Sequence, residues 1–533
     1  MNRRQFLARV AAAGTAAGVT PGFWRAALSA PAQPGESPYG PLQPPDANGL
    51  MLPAGFTSRV VATSLAPVAG TGYLWHLFPD GGACVPTDDG GWIYVSNSEN
   101  PPPIDVPGGT GLLADLAAAL PDVPLTGGAS AIRFAADGTI VDAYRILGGT
   151  LSNCAGGLTP WGTWLSCEEW ESDLPGAYDA GRVWECDPFG QADPVVRPSL
   201  GRFKHEMAAV DPDRQVVYLS EDQTDGLLYR YTPRPGTWGS GAALDGGELH
   251  AMAVDDDGTV TWLPVADHVD PAAPDRPIRH AVPGATPFDG GEGLLYDDGC
   301  VYLTTKGDDR VWVHDVEAGT MTVLYESSEH IDPVLSGVDN IAVSAAHDLY
   351  VAEDGGNLEV CVISPERVVY PVVRMVGGHH GFDQPTPLPL VSEVTGLALS
   401  PDGNRLYLNS QRGMGLAGLP IGPGPGILYE VTGPFLGGTL AAGSPANPSD
   451  PSDPSDPSDP SDPAGPAAGA PSGPTTSAPG APVPAGREPG AVAATGTLPA
   501  TGAASRLGPA MAAAAAGAAL LALRRRLGRS ADA

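Results

Sequence analysis

Eighteen residues from Asn153 to Trp170, NCAGGLTPWGTWLSCEEW, hold three Trp, two Cys, three Gly, a Pro and the adjacent acids Glu168 and Glu169. A thiol and two carboxylates at the end of a short strand suit metal binding. Carboxylate oxygens favour hard cations such as calcium, whereas a thiolate favours a transition metal. The competing reading for Cys167 is a disulfide to Cys154, thirteen residues upstream, closing a hairpin. Six Cys permit three bridges in an exported protein without fixing their pairing.

The acids recur. Four segments share one pattern: HEMAAVDPDRQVVYLSED from His205, GEGLLYDDGCVYLTTK from Gly291, DNIAVSAAHDLYVAED from Asp339 and TGLALSPDGNRLYLNSQ from Thr395. Weaker copies are GGACVPTDDGGWIYVSNSE from Gly81 and TPWGTWLSCEEW from Thr159. Each has a polar lead-in, a short apolar strand, a turn, a second strand with a central aromatic, and a polar exit. Aligned on that aromatic (Tyr94, Trp164, Tyr218, Tyr302, Tyr350, Tyr407), the third residue onward is Asn97, Cys167, Glu221, Thr305, Glu353 or Ser410. The next is Ser98, Glu168, Asp222, Lys306, Asp354 or Gln411, and the lead-ins carry Glu206, Glu292, Asp339, Asn340 and, beside its strand, Glu393.

Carboxylates facing one basin repel each other, and cations resolve the repulsion. The candidate ligands are therefore Cys167, Glu168, Glu206, Glu221, Asp222, Glu292, Asp339, Asn340, Glu353 and Asp354, holding a mixture of metals. Lys204 and Lys306, the only lysines in the chain, flank the repeat with Arg412 and are candidates to hold an anionic substrate. His205 suits a packing or hydrogen-bonding role at least as well as catalysis. His379 and His380 follow two Gly and could bind metal, although such a loop pair is usually bland. The Asp-Gly pairs at 137–138, 257–258 and 402–403 read as structural turns.

Short strands separated by Asp-Gly turns indicate an all-β fold. The strongest copies lie roughly 50 to 90 residues apart, the size of a four-stranded propeller blade with its loops. Six copies predict a six-bladed β-propeller over 38–434. GFTSRVVATSL from Gly55 would complete the last blade beside ILYEVTG from Ile427, and TGLLADLAAAL from Thr110 is the best short helix. A pair of β-sandwiches is the rival fold, but it leaves the repeated polar lead-in and exit unexplained.

The two ends read as addresses. Arg3 and Arg4 precede a mild apolar run, as in a twin-arginine signal peptide over 1–32 cleaved near Ala30-Pro31-Ala32, so the translocase of that route is an expected partner. Pro-Ser-Asp repeats and Pro/Ala-rich sequence over 435–497 cannot bury a core and read as a disordered, wall-spanning linker. Over 498–533 come LPATG, an apolar run from Leu507 to Leu523 and Arg524 to Arg526. That order reads as a sorting signal at Thr501-Gly502, with sortase and peptidoglycan as partners. The expected location is the wall of a Gram-positive, actinobacterial cell. A net charge of −33 in 533 residues argues against nucleic acid as a partner, and a monomer is expected.

NCAGGLTPWGTWLSCEEW, KHEMAAV, YLSEDQ, GGEGLLY, DNIAV, YVAEDGG and EVTGLALSPDGNRLYLNSQ resemble, in order, the successive motifs of the PhoX family of alkaline phosphatases. The resemblance implies a twin-arginine-exported propeller hydrolysing phosphate monoesters with calcium and ferric iron, the iron held by a cysteine and carboxylates. Carried over by motif, Cys167, Glu206, Glu292 and Glu353 become metal ligands of the catalytic centre, with Glu221, Asp222, Asp339 and Glu168 beside them. Two other readings stay open. One is a calcium-dependent lactonase or phosphotriesterase-type hydrolase, which needs no Cys167. The other is a non-catalytic surface propeller stapled by metal.

Overall fold

Turn chemistry sets the strand lengths. At the Asp-Gly pairs the glycine takes a left-handed φ of +84° at Gly138, +83° at Gly258 and +67° at Gly403, a conformation costly for any residue with a Cβ. The preceding aspartate caps the turn: Asp137 accepts from the Thr139 N–H and Asp257 from the Thr259 N–H. These pairs read correctly as structural.

In the computed structural model the described residues are 31–100, 126–170, 180–266, 268–269, 277–377, 392–416, 419–424 and 426–438. Among them there is no α-helix, and the strands form a six-bladed β-propeller. Blade 1 holds Pro79–Pro86, Trp92–Ser98, Gly127–Phe134 and Ile140–Thr150. Blade 2 holds Asn153–Leu158, Trp164–Glu168, Val183–Cys186 and Val195–Val196. Blade 3 begins with His205–Asp211 and carries a fifth strand, Val260–Pro264. Blades 4, 5 and 6 begin with Gly291–Asp297, Val338–Val343 and Val394–Leu399. Each first strand contacts the first strands of both neighbouring blades, which closes a ring around one axis.

The last blade closes as the sequence predicts: Thr57–Thr63 pairs antiparallel with Ile427–Thr432. The folded body starts before residue 38, because Gln33–Pro34 pairs in parallel with Val368–Val369 and the Ala32 N–H reaches the Leu324 carbonyl at 2.7 Å. It also runs past 434, with Phe435 fully buried. Arg3, Arg4, Thr501, Gly502, the proposed helix at Thr110, and His379 and His380 lie outside the described residues.

The repeat aromatics pack between blades, but not all on the same side. Tyr94 lies 5.0 Å from Tyr407 of blade 6, and Trp164 packs among Ile93 and Val95 of blade 1, so both face the preceding blade. Tyr218 packs with Leu294 and Val301, Tyr350 with Leu397 and Leu406, and Tyr407 with Trp92 and Phe134, each facing the following blade. A strand's side chains alternate between its two faces, so this difference is a one-residue slip of blades 1 and 2 against the rest.

Candidate metal centre

Every first strand carries a bulge near its start. In blade 1 Pro79 pairs with Ser98, yet the next regular pair is Gly82 with Ser96, so three steps on one strand oppose two on the other. The same shift separates Asn153 from Gly156, His205 from Ala208, Gly291 from Leu294, Val338 from Ile341 and Thr395 from Ala398. The residue after the first of these is Asp80, Cys154, Glu206, Glu292 or Asp339; in blade 6 the counterpart is Thr395, since Ala398 faces Tyr407 as Ala342 faces Tyr350. The bulge re-aims that side chain from the blade face toward the axis. Five blades thus send one potential ligand each into a common basin, whereas Thr395 of blade 6 donates its hydroxyl to the Pro79 carbonyl at 2.9 Å and does not line it.

A second ring comes from the residue after the last pair of each second strand: Glu99, Glu169, Asp222, Lys306 and Asp354. Blade 6 adds Glu393 and Arg412. Nine carboxylates, one thiol and two cationic side chains therefore line the basin.

Neighbouring blades hold the bulges in place. Asn97 Nδ2 donates to the Ala155 carbonyl at 2.7 Å, Ser220 Oγ to Glu292 O at 2.7 Å, Thr304 Oγ1 to Asp339 O at 2.6 Å and Asn409 Nδ2 to Asp80 O at 3.1 Å. Glycine permits the close approach. A Cβ on Gly157 would sit 1.9 Å from the Ala208 carbonyl oxygen, and one on Gly293 2.5 Å from that of Asp339.

Three donor sets follow one another around the ring, each with ligand atoms within 4.8 Å of one another: Asp80, Glu99 and Cys154; Cys154, Glu169 and Glu206; and Glu206, Glu292 and Asp339. Glu206 is 1 % exposed, and neither carboxylate oxygen has a hydrogen-bond partner. Burial, then Glu292 and Glu169, push its pKa well above the carboxylate range. Burial and Asp222 raise Glu169 to about 8, and burial and Asp354 raise Asp339 to about 7. A buried carboxylate without a partner costs several kcal/mol, and a cation between such groups removes both the desolvation penalty and the repulsion. The donor set therefore fits metal ions.

Organic cations meet part of this charge. Lys306 Nζ contacts the Glu292 carboxylate and lies 3.1 Å from Asp222 Oδ2, so that Asp222, although burial works the other way, is held below its usual pKa chiefly by Lys306. Arg412 Nη2 lies 2.7 Å from Glu393 Oε2, and Lys204 Nζ 3.2 Å from Glu169 Oε1 at the rim. Gln411 Nε2 donates to Asp80 at 2.5 Å and to Glu99 at 2.6 Å.

Of the residues predicted from sequence, Glu206, Asp222, Glu292, Asp339, Asp354, Lys306 and Arg412 meet in the basin. Asn340 supports it, donating to Asp339 Oδ1 and accepting from the Gly396 N–H, both at 3.0 Å. Cys167, Glu168, Glu221 and Glu353 do not line it, which corrects the first three as basin ligands; Glu353 sits instead in a separate donor set with Glu359 and Cys361. Each belongs to a paired second strand, whose side chains stand on a blade face and not toward the axis. Cys167 packs with Leu165, Val183, Phe203 and Leu219, and no disulfide links it to Cys154, since all six cysteines are free. Glu221 accepts from the Leu227 N–H, the Tyr229 hydroxyl and Arg279, and Glu353 from the Ser336 and Glu359 N–H groups.

Asp80, Glu99, Cys154 and Glu169 escaped the sequence reading of the site. Aligning the first-strand starts (PDGGA, NCAGG, HEMAA, GEGLL, VDNIA, VTGLA) would have shown the column of Asp, Cys, Glu, Glu, Asp and Thr.

The family model described as alkaline phosphatase PhoX matches residues 118–321. Among solved structures, PhoX of Pseudomonas fluorescens, in complex with vanadate as a transition state analogue, is similar with a TM-score of 0.57 at 20 % identity, covering 73 % of this chain and 97 % of that one. A gluconolactonase from Xanthomonas campestris gives 0.39 at 12 % identity (74 % and 98 % covered). The calcium-binding protein regucalcin from Agrobacterium tumefaciens gives 0.34 at 11 % identity (70 % and 93 % covered). No curated protein matches the chain.

Proposed function

We propose, from the match of residues 118–321 to the alkaline phosphatase PhoX family model, that this chain hydrolyses phosphate monoesters at the propeller basin with calcium and ferric iron. The observation that carries the reading is Glu206, a buried carboxylate with both oxygens unpartnered, shared by two of three adjoining donor sets. Cys154, common to the first two sets, supplies the soft ligand that suits iron, and the all-oxygen set of Glu206, Glu292 and Asp339 suits calcium. Bound cations would supply Lewis acidity toward the phosphoryl oxygens and toward an attacking water.

The chain's own residues hold and orient. Lys306 and Arg412, the cationic side chains of the lining, attract a phosphoryl dianion and fix its orientation. Gln411 fixes Asp80 and Glu99, and the inter-blade bonds to the bulge carbonyls keep the ligand directions from drifting. The test is turnover of p-nitrophenyl phosphate by protein purified from its own export route. Activity should vanish with a chelator and return with calcium; a metal-loaded protein without turnover would end the reading.

Export through the twin-arginine route at Arg3 and Arg4, and sortase attachment at Thr501-Gly502, complete the proposal on the sequence pattern alone. Muramidase digestion should release the protein from the wall, and an Arg3→Lys, Arg4→Lys variant should stay inside the cell.

A further inference from the structure

The donor sets obey a rule of succession that breaks at one place. Between blades 1 and 2 the set is the bulge acid of blade 1, the exit acid of blade 1 and the bulge ligand of blade 2: Asp80, Glu99, Cys154. Between blades 2 and 3 the same positions give Cys154, Glu169, Glu206. Between blades 3 and 4 they would give Glu206, Asp222, Glu292. Instead Asp222 is drawn to Lys306, whose ammonium contacts both Asp222 and Glu292. Lys306 is itself the exit residue of blade 4, so its side chain leans back into the gap that the third set would occupy.

We infer that the Lys306 ammonium is a built-in cation standing where the third repeat of the pattern would otherwise hold a calcium ion. The inference rests on the reading of the basin as a metal centre. A lysine suits the position because its charge is a compact point with three donors. The set it replaces is all oxygen, so the ion excluded is a hard one. Without Lys306, Glu206, Asp222 and Glu292 would be three acids in one gap, with Lys204 left to offset Asp222. Two lysines in 533 residues, both beside these acids, make the side chain directly observable.

The experiment compares calcium content per chain, by elemental analysis after dialysis against calcium, in the exported wild type, Lys306→Met and Lys306→Arg. Lys306→Met should bind about one more calcium ion than wild type, and Lys306→Arg no more than wild type. Equal content in wild type and Lys306→Met overturns the inference and leaves the metal centre standing, whereas a wild type without bound metal overturns the centre itself. Should Lys306→Met fail to fold, wild type labelled with 15N-lysine decides. Its two side-chain Nζ signals are assigned with Lys204→Arg, and that of Lys306 should hold its shift as calcium is added; a move to the position of free lysine shows that the ion displaces it.

Discussion

Glu168 and Glu169 are chain neighbours with separate duties: the Glu168 carboxylate accepts the Arg182 N–H at 3.1 Å and the Leu151 N–H at 3.3 Å, while Glu169 lines the basin. The pattern recurs. Glu221 and Glu353 take backbone N–H groups of nearby loops, and Asp222 and Asp354 after them face the axis. The first acid of each pair ties the chain that turns around the second.

Glu168→Ala is expected to lose stability by about 1–3 kcal/mol, because two buried N–H groups lose their acceptor, with the metal content of the folded fraction unchanged. Glu169→Gln should do the reverse, losing metal while the chelated protein melts no lower than wild type. Urea unfolding beside elemental analysis reads both, and a swap of the two phenotypes would refute the division of labour.

The two cysteines of the opening motif are expected to separate as cleanly. Cys154→Ser should lose iron and phosphatase activity together. Cys167→Ala removes one buried sulfur from an apolar layer and should cost about 1 kcal/mol with iron retained. If Cys167→Ala lost iron while Cys154→Ser kept it, the assignment of the thiol ligand would be wrong.

Acidity gives a third prediction. Burial with Asp222 raises Glu169 to about 8, and burial with Asp354 raises Asp339 to about 7. The chelated folded protein therefore holds protons that the unfolded chain has released. A group raised in this way contributes stability below its unfolded pKa and loses it as pH climbs through the folded value. Chelated protein should melt progressively lower between pH 5 and pH 8.5, by an amount on the order of a few kcal/mol. Calcium-loaded protein should not follow, since cations keep the carboxylates ionised. Parallel melting curves for the two forms would count against cation binding at these acids.

Arg412→Met should raise KM for a phosphate ester by about tenfold or more, the size expected when a charge-assisted contact is lost. The metal content should hold. A fall in kcat alone, with KM unmoved, would mean that Arg412 does not bind the ground-state phosphoryl group.

The fold was legible because six copies of one hairpin pattern, each with its turn residues, leave little freedom in how they assemble. The site was legible at the strand starts of the stronger copies, where Glu206, Glu292 and Asp339 stand, but not at Asp80, whose copy reads only from Gly81 onward. It was misread where the alignment followed the aromatics, because Tyr94 and Trp164 face the preceding blade and Tyr218 and Tyr350 the following one. That one-residue slip put Cys167 in a column with Glu221 and hid Glu99 and Glu169. Cys154 stayed hidden for a different reason: bulges leave no mark in a hydrophobic period, and only the bulge turns that thiol inward.

The seam between Thr57–Thr63 and Ile427–Thr432 also dictates a timetable. A nascent chain halted before residue 427 lacks the partner for Thr57–Thr63, so its last blade is unfinished and its ring has no lock. Ion capture then belongs to the completed polypeptide. Truncation just upstream of Ile427 would leave every ligand in place along the chain and still yield a protein unable to hold its ions.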